Sequence, residues 1–227
     1  MGFLIFGLII VALVFGPGLW VRHVLEKYSK PDDRYGGTGA DLARHLLDLH
    51  GMQAVGVEQT ESGDHYDPSS KTVRLSPGNF DSRSLTAITV AAHEVGHALQ
   101  DHNGYTPLRL TTRLVRWVNP IQRIGAGILL VAPFVGAIAR VPQLSLLMFL
   151  GGFATLMTST MVHLVTLPTE LDASFARAMP MLDKHDILIR SDRPHARRLL
   201  QAAALTYVSA SLMSLLNIAR WWAILRR

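Results

Sequence analysis

Apolar residues are distributed along this chain in two ways. Some form unbroken blocks, and others recur at helical or strand spacing among polar neighbours. The blocks are Phe3–Val21, Ile124–Ala139, Gln143–Leu167 and Leu199–Ala219. Phe3–Val21 carries no charge and, as a helix, is long enough to cross a hydrocarbon layer of about 30 Å. No basic residue precedes it and "FGPGLW" is a poor cleavage site, so it reads as a retained anchor rather than a signal peptide. Only Arg140–Pro142 separates the second block from the third, which predicts a transmembrane hairpin; its first arm is short and contains Pro133. Leu199–Ala219 is rich in Ala and Ser, a composition that suits helix packing in lipid and equally a buried helix in water.

Between the blocks lie two polar stretches, from about Arg22 to Pro120 and from about Pro168 to Arg198. Tyr28–Gly39 reads as a loop. Ala40–His50 places Leu42, Leu46 and Leu47 on one helical face, with Gly51 as its stop. "AVGVEQT" and Lys71–Ser76 read as short strands. The linker "SGDHYDPSS" between them has turn chemistry, so a β-hairpin is expected. The run "SLTAITVAAHEVGHALQDHNG" is free of proline and ends at Gly104; Asp81, Ser82 and Ser84 are candidates for its N-cap.

Composition narrows the chemistry. The 227 residues contain no cysteine, which excludes disulfides and thiolate metal sites. The net charge of +5 does not point to nucleic acid, because no aromatic platform or recognisable module accompanies the basic residues. Arg109, Arg113 and Arg116 alternate with Leu110, Leu114 and Trp117, as in a basic amphipathic helix at headgroup level or in a solvated face.

The helix predicted to end at Gly104 holds the candidate site. His93 and His97 are four apart, with Glu94 between them, in "AAHEVGHALQ". One helical turn brings the two imidazoles to one face, where they can chelate a single ion. Zinc bound by two imidazoles and one carboxylate keeps a fourth position for water, and Glu94 is placed to act as general base. Gly96 in mid-helix costs about 1 kcal/mol against Ala, so close packing or function is expected there.

The ordered set "DHYDPSSKTVRLS", "AAHEVGHALQ", "GYTPLRL" and "TLPTELDAS" resembles the membrane-bound neutral zinc metallopeptidases of the YugP type. The resemblance runs from about Tyr28 to the final apolar block. It implies a zinc-dependent membrane endopeptidase with a peptide or protein substrate, and it names none. A third metal ligand is required beyond the motif; the candidates are Glu170, Asp172, Asp183, His185 and Asp186. Thr169 and Asp172 match a helix-capping pattern, which leaves Glu170 as the favoured ligand. Related glutamate-zincins often carry a supporting aspartate four residues after the ligand glutamate, where this chain has Ser174.

The resulting expectation is an α+β, mostly helical protein. A zincin-like catalytic portion with a small β-hairpin is joined to a bundle of about four transmembrane helices. The expected divisions are 1–21 anchor, 22–120 catalytic portion, 121–167 membrane hairpin, 168–198 ligand-bearing segment and 199–227 final helix. Arg22, Lys27, Lys30 and Arg34 follow the first block and place the site on the cytoplasmic side of a multi-pass protein, with the lipid bilayer as a partner. Strand Lys71–Ser76 is expected to offer an edge for an extended substrate. The alternative reading is a membrane metal-binding or scaffold protein without catalysis.

Overall fold

The computed structural model describes residues 2–139 and 142–206. In chain order, helix α1 (Gly2–Lys27) is followed by α2 (Gly39–Leu49), strands β1 (Gly56–Gln59), β2 (His65–Asp67) and β3 (Thr72–Leu75), and the short α3 (Pro77–Phe80). Helices α4 (Leu85–His102), α5 (Thr106–Ala139) and α6 (Pro142–Leu171) come next. A π-helical segment (Asp172–Ala178), α7 (Met179–Lys184), a 3-10 turn (Arg190–Asp192) and a helix over 193–206 complete the described chain. The fold is mostly helical with one small sheet.

The chain divides into two compact units, and the division falls within α1, α5 and α6. One unit comprises Leu19–Arg109 and Leu167–Thr206. The other is built on the residues up to Gly18 and on Leu110–Thr166, which are α-helical where described.

Local chemistry accounts for the elements of the first unit. α2 starts on a capping box: the Thr38 hydroxyl accepts from the Asp41 amide at 3.1 Å, and the Asp41 carboxylate accepts from the Thr38 amide at 2.9 Å. It stops before Gly51, whose φ of 71° is accessible to glycine without strain. Its apolar face, Leu42, Leu46 and Leu47, is buried in a core with Val73 and Leu75 of β3, Ile88, Ala91 and Val95 of α4, and Leu199 and Leu200. α4 is capped by the Ser84 hydroxyl, which accepts from the Ala87 amide. It ends at His102, and Gly104 follows the Asn103 cap with φ 67°.

The sheet departs from the expected hairpin. The two expected strands, β1 and β3, are parallel neighbours, with Val57 opposite Val73. A third strand, β2, lies within the expected linker and pairs antiparallel with β3, Tyr66 opposite Val73. β2 carries the chain back across the sheet, so β3 can run alongside β1 in the same direction. The strand order β1-β3-β2 makes β3 central. It therefore has no free edge, and the expected pairing of substrate with Lys71–Ser76 is withdrawn. The free edges of the sheet are β1 and β2.

The membrane expectation is also corrected. Among the described residues, no helix is long and apolar enough to cross a membrane. The first three apolar blocks lie within longer helices that also carry polar turns. α1 ends in Arg22, His23, Glu26 and Lys27. α5 runs without a break from an arginine-bearing first half into Ile124–Ala139. α6 carries Thr158, Ser159 and Thr160 within its apolar run and closes on Glu170. The transmembrane hairpin, the four-helix membrane bundle, the multi-pass placement with a cytoplasm-facing site and the bilayer as partner are withdrawn with it. Part of the last block, Leu199–Ala219, lies outside the described residues.

One contact sets how closely α4 approaches the π-helical segment. At Gly96 of α4, a β-carbon would lie 2.7 Å from the carbonyl oxygen of Ala173 in the π-helical segment. The two backbones touch there. Helix propensity alone makes Gly96→Ala stabilising by about 1 kcal/mol; backbone overlap makes it destabilising by roughly 1–3 kcal/mol. The overlap dominates, because a carbonyl on a helical segment cannot swing away as a side chain can. Urea unfolding of the Gly96→Ala protein is expected to show a net loss of stability.

Candidate metal centre

Two features of α4 bring its chemistry to one place. The helix is unbroken from Leu85 to His102, so residues four apart share a face. That face is buried: His93, Glu94 and His97 are each under a tenth exposed. The two imidazole rings lie 4.8 Å apart, centroid to centroid, nearly perpendicular at 83°.

The third member comes from the last turn of α6. The Glu170 Oε2 atom is 3.3 Å from His93 Nε2 and 3.3 Å from His97 Nε2. The three side chains form a buried group whose ligand atoms all lie within 4.8 Å of one another. With bonds of about 2.0–2.1 Å, a tetrahedral zinc site separates its donors by about 3.3–3.4 Å. The two measured Nε2–Oε2 separations match that spacing.

Hydrogen bonds behind the imidazoles select the tautomer a metal needs. The Gln100 Nε2 group donates to the Thr169 carbonyl at 2.9 Å and to Asp172 Oδ2 at 2.7 Å. Its Oε1 is therefore turned to His97 Nδ1, at 2.9 Å, and accepts that ring's N–H. Behind His93, the Ser174 hydroxyl donates to the Leu200 carbonyl at 3.4 Å. Its oxygen accepts from His93 Nδ1 at 3.1 Å. With both Nδ1 atoms occupied as donors, the Nε2 lone pairs are left for an ion. On donor type, spacing and tautomer, these residues fit zinc.

The electrostatics agree. Burial raises Glu170, but the charge on His97 and hydrogen bonds from both imidazoles outweigh it and hold the carboxyl well below its ordinary value. Burial lowers His97, yet Glu170 outweighs this and carries it up to about 9. In the metal-free protein the pair thus retains a proton. Glu94 is not a member of the cluster. Burial pushes its carboxyl up, against the opposing charges of His93 and His97, with Glu170 and Asp64 adding to the rise.

The remaining ligand candidates lie outside the cluster. Asp172 is bound by Gln100 and by Arg177 Nε at 2.7 Å. Asp183 pairs with Arg193 at 2.6 Å. The His185 ring meets His50 edge-on at 6.3 Å. Asp186 borders a surface cavity of about 430 Å³ with Asp183 and Arg190. Tyr66 is turned into α4, where its hydroxyl donates to Asp101 at 2.8 Å. Sequence reasoning overlooked Gln100 as a partner of the site. The signal was available: Gln100 stands three residues after His97 on the same helix. Ser174 stands where an aspartate was expected, and it bonds the imidazole itself.

A family model described as "Putative neutral zinc metallopeptidase" matches residues 3–226. The chain belongs to that family. It is also 35% identical to "Putative membrane protease YugP" of Bacillus subtilis (strain 168) over 213 residues, 93% of this chain and 91% of that protein. No solved structure matches. The family, together with the buried His-His-Glu cluster, makes the protein a zinc-dependent peptidase, and the cluster is consistent with its zinc site.

The proton on His97 sets the pH dependence expected of metal binding at this cluster. Its folded value, about 9, lies above the ordinary 6.5, so zinc must displace a proton at every pH below about 9. Affinity is expected to rise about tenfold per pH unit up to that value and then level off. Chelator competition between pH 6.5 and 9.5 measures this; a flat profile over the range contradicts it.

Proposed function

We propose that this protein is an endopeptidase in which His93, His97 and Glu170 hold the zinc ion and Glu94 is the general base. The observation that carries the reading is the equal 3.3 Å approach of one Glu170 oxygen to both imidazole Nε2 atoms. The motif's own glutamate, Glu94, stays outside that group. Bound zinc supplies Lewis acidity, polarising the scissile carbonyl and lowering the pKa of water toward about 7.

The chain's own residues do the rest. Glu94 accepts the proton of the attacking water and returns it to the departing amine. A buried carboxylate suits this exchange, since burial raises its proton affinity toward the working range. Ser174 and Gln100 hold the two imidazoles with Nε2 forward. An extended substrate that joins the sheet does so at β1 or β2, because β3 is flanked on both sides. The catalytic portion on this reading combines 22–120 with 168–198, so the site is assembled from two separated stretches of chain.

Purified protein, metal content and cleavage of an unfolded polypeptide test the assignment together. Glu94→Gln is expected to keep near-stoichiometric zinc while losing about 10²–10⁴-fold in hydrolysis. Glu170→Ala is expected to lose zinc and hydrolysis in parallel. Undiminished cleavage by the first variant, or full zinc retention by the second, overturns the corresponding role.

A further inference from the structure

Two of the recognised sequence patterns, "GYTPLRL" and "TLPTELDAS", extend beyond the three ligands and the base, and the structure gives part of them a shared location. Tyr105, from the first, lies under the guanidinium of Arg177, 5.4 Å from ring centroid to Cζ. Its backbone amide donates to the Gln100 carbonyl at 2.8 Å. Arg177 Nε donates to Asp172 Oδ2 at 2.7 Å, and Gln100 Nε2 donates to the same oxygen at 2.7 Å. Gln100 is fully buried. Its other amide atom, Oε1, receives His97 Nδ1. A continuous chain of contacts therefore runs Tyr105–Arg177–Asp172–Gln100–His97.

We infer that Asp172 and Gln100 act as a coupled pair of positioning residues, which set the affinity of the site for zinc by fixing the orientation of His97. The inference rests on the ligand assignment proposed above. The argument is one of donors and acceptors. A primary amide has two faces of opposite sense, and turning it over exchanges them. In the observed orientation Gln100 gives its donors to two acceptors, the Thr169 carbonyl and the Asp172 carboxylate. Turned over, its oxygen would face both of those acceptors, and its NH2 group would face His97 Nδ1 and favour the opposite tautomer. The flipped state is excluded by repulsion at the two oxygen contacts. Asp172 supplies the charged one, and Arg177 holds Asp172 in place from its other side.

The consequence reaches the metal. With Gln100 Oε1 fixed, His97 must donate from Nδ1, and Nε2, on the Glu170 side, is the nitrogen left to give its lone pair to an ion. Without Asp172, only the Thr169 carbonyl biases the amide. Without the Gln100 amide, His97 loses both its tautomer selection and its lateral restraint. Asp172 thus acts on the metal site without touching it, and its effect passes through Gln100.

The test uses the full-length protein and zinc itself, with affinity read by chelator competition and site geometry read from the visible absorption of cobalt substituted for zinc. Gln100→Met keeps the length of the side chain and removes its hydrogen bonds; Asp172→Asn keeps its shape and removes its charge. Gln100→Met is expected to weaken zinc binding about 10–100-fold and to alter the cobalt spectrum. Asp172→Asn is expected to weaken it in the same direction by less. The double variant is expected to be no weaker than Gln100→Met alone, since Asp172 acts through the amide that is already gone. Additive losses, or a loss on Asp172→Asn with none on Gln100→Met, overturn the coupling. Wild-type zinc affinity unchanged in both single variants overturns it as well. Failure of the ligand assignment is a separate result: wild-type protein would not bind zinc, or would bind it equally well as Glu170→Ala. If Gln100→Met fails to fold, Asp172→Asn with Arg177→Gln decides. Both are expected to shift the cobalt spectrum alike, and unchanged spectra refute the pair.

Discussion

A backbone contact with no room for a methyl group organises the site-bearing unit. At Gly96 the α4 helix meets the Ala173 carbonyl so closely that an added β-carbon would sit 2.7 Å from it. On α4, Ala92 is fully buried near the motif, and Ala173 and Ala178 are buried on the π-helical side. Small residues allow two helical segments to approach until short side chains can bridge them. Glu170 can then reach both imidazoles, Ser174 can reach His93, and the Gln100 amide can span to Thr169 and Asp172. The π-helical turn belongs to the same arrangement. Its wider coil closes on the bond from the Met179 amide to the Ser174 carbonyl, and it changes the angular spacing of Asp172 and Ser174 relative to Glu170. Both then face α4, as π-helical insertions often do at functional sites.

Such closeness buries four ionisable groups, His93, Glu94, His97 and Glu170, which is costly unless each charge has a partner. The shifts of Glu170 and His97 are two views of one interaction: the carboxyl is held low and the imidazole high because each stabilises the charged form of the other. A divalent cation held by the proposed ligands would take the place of that proton, with more charge at the same point. Glu94 stands apart from this exchange. Its carboxyl is raised chiefly by burial, and this difference between two nearby glutamates suits the proposed roles, one as metal ligand and the other as proton carrier.

Much of the site-bearing unit is legible in local sequence because local chemistry decides it. The Leu42, Leu46 and Leu47 stripe, the Gly51 stop, the Ser84 cap and the Gly104 terminus are all short-range features, and they stand where the pattern places them. Gly96 announces itself by its cost in a helix, although its partner, Ala173, lies 77 positions away and cannot be read from spacing. β2 was hidden for a related reason. Three residues, His65–Asp67, are too few to show alternation, and they sit among turn-forming neighbours, so the segment looked like a linker. The strand exists because its neighbour β3 has a face and an edge to fill. The apolar blocks misled in the opposite direction: hydropathy along the chain marks a run of residues, whereas helix limits are decided by where caps and breaks occur, and α5 and α6 pass straight through the ends of those runs.

The Thr169–Asp172 pattern shows where local reading ends. A Thr three residues before an Asp caps a helix only when the helix begins there, since the cap works by satisfying amides that have no partner within the helix. Here α6 continues through Thr169 and passes directly into the π-helical segment, so there are no orphaned amides to cap. The Thr169 hydroxyl is the buried side-chain polar atom left without a hydrogen bond among the described residues. It is the Thr169 carbonyl that is used, by Gln100, and the Asp172 carboxylate turns outward from its own helix to the same amide. Residues suited to a local cap thus serve a contact between elements, because the helix they would have started is already under way and a buried amide 69 positions earlier in the chain needs acceptors.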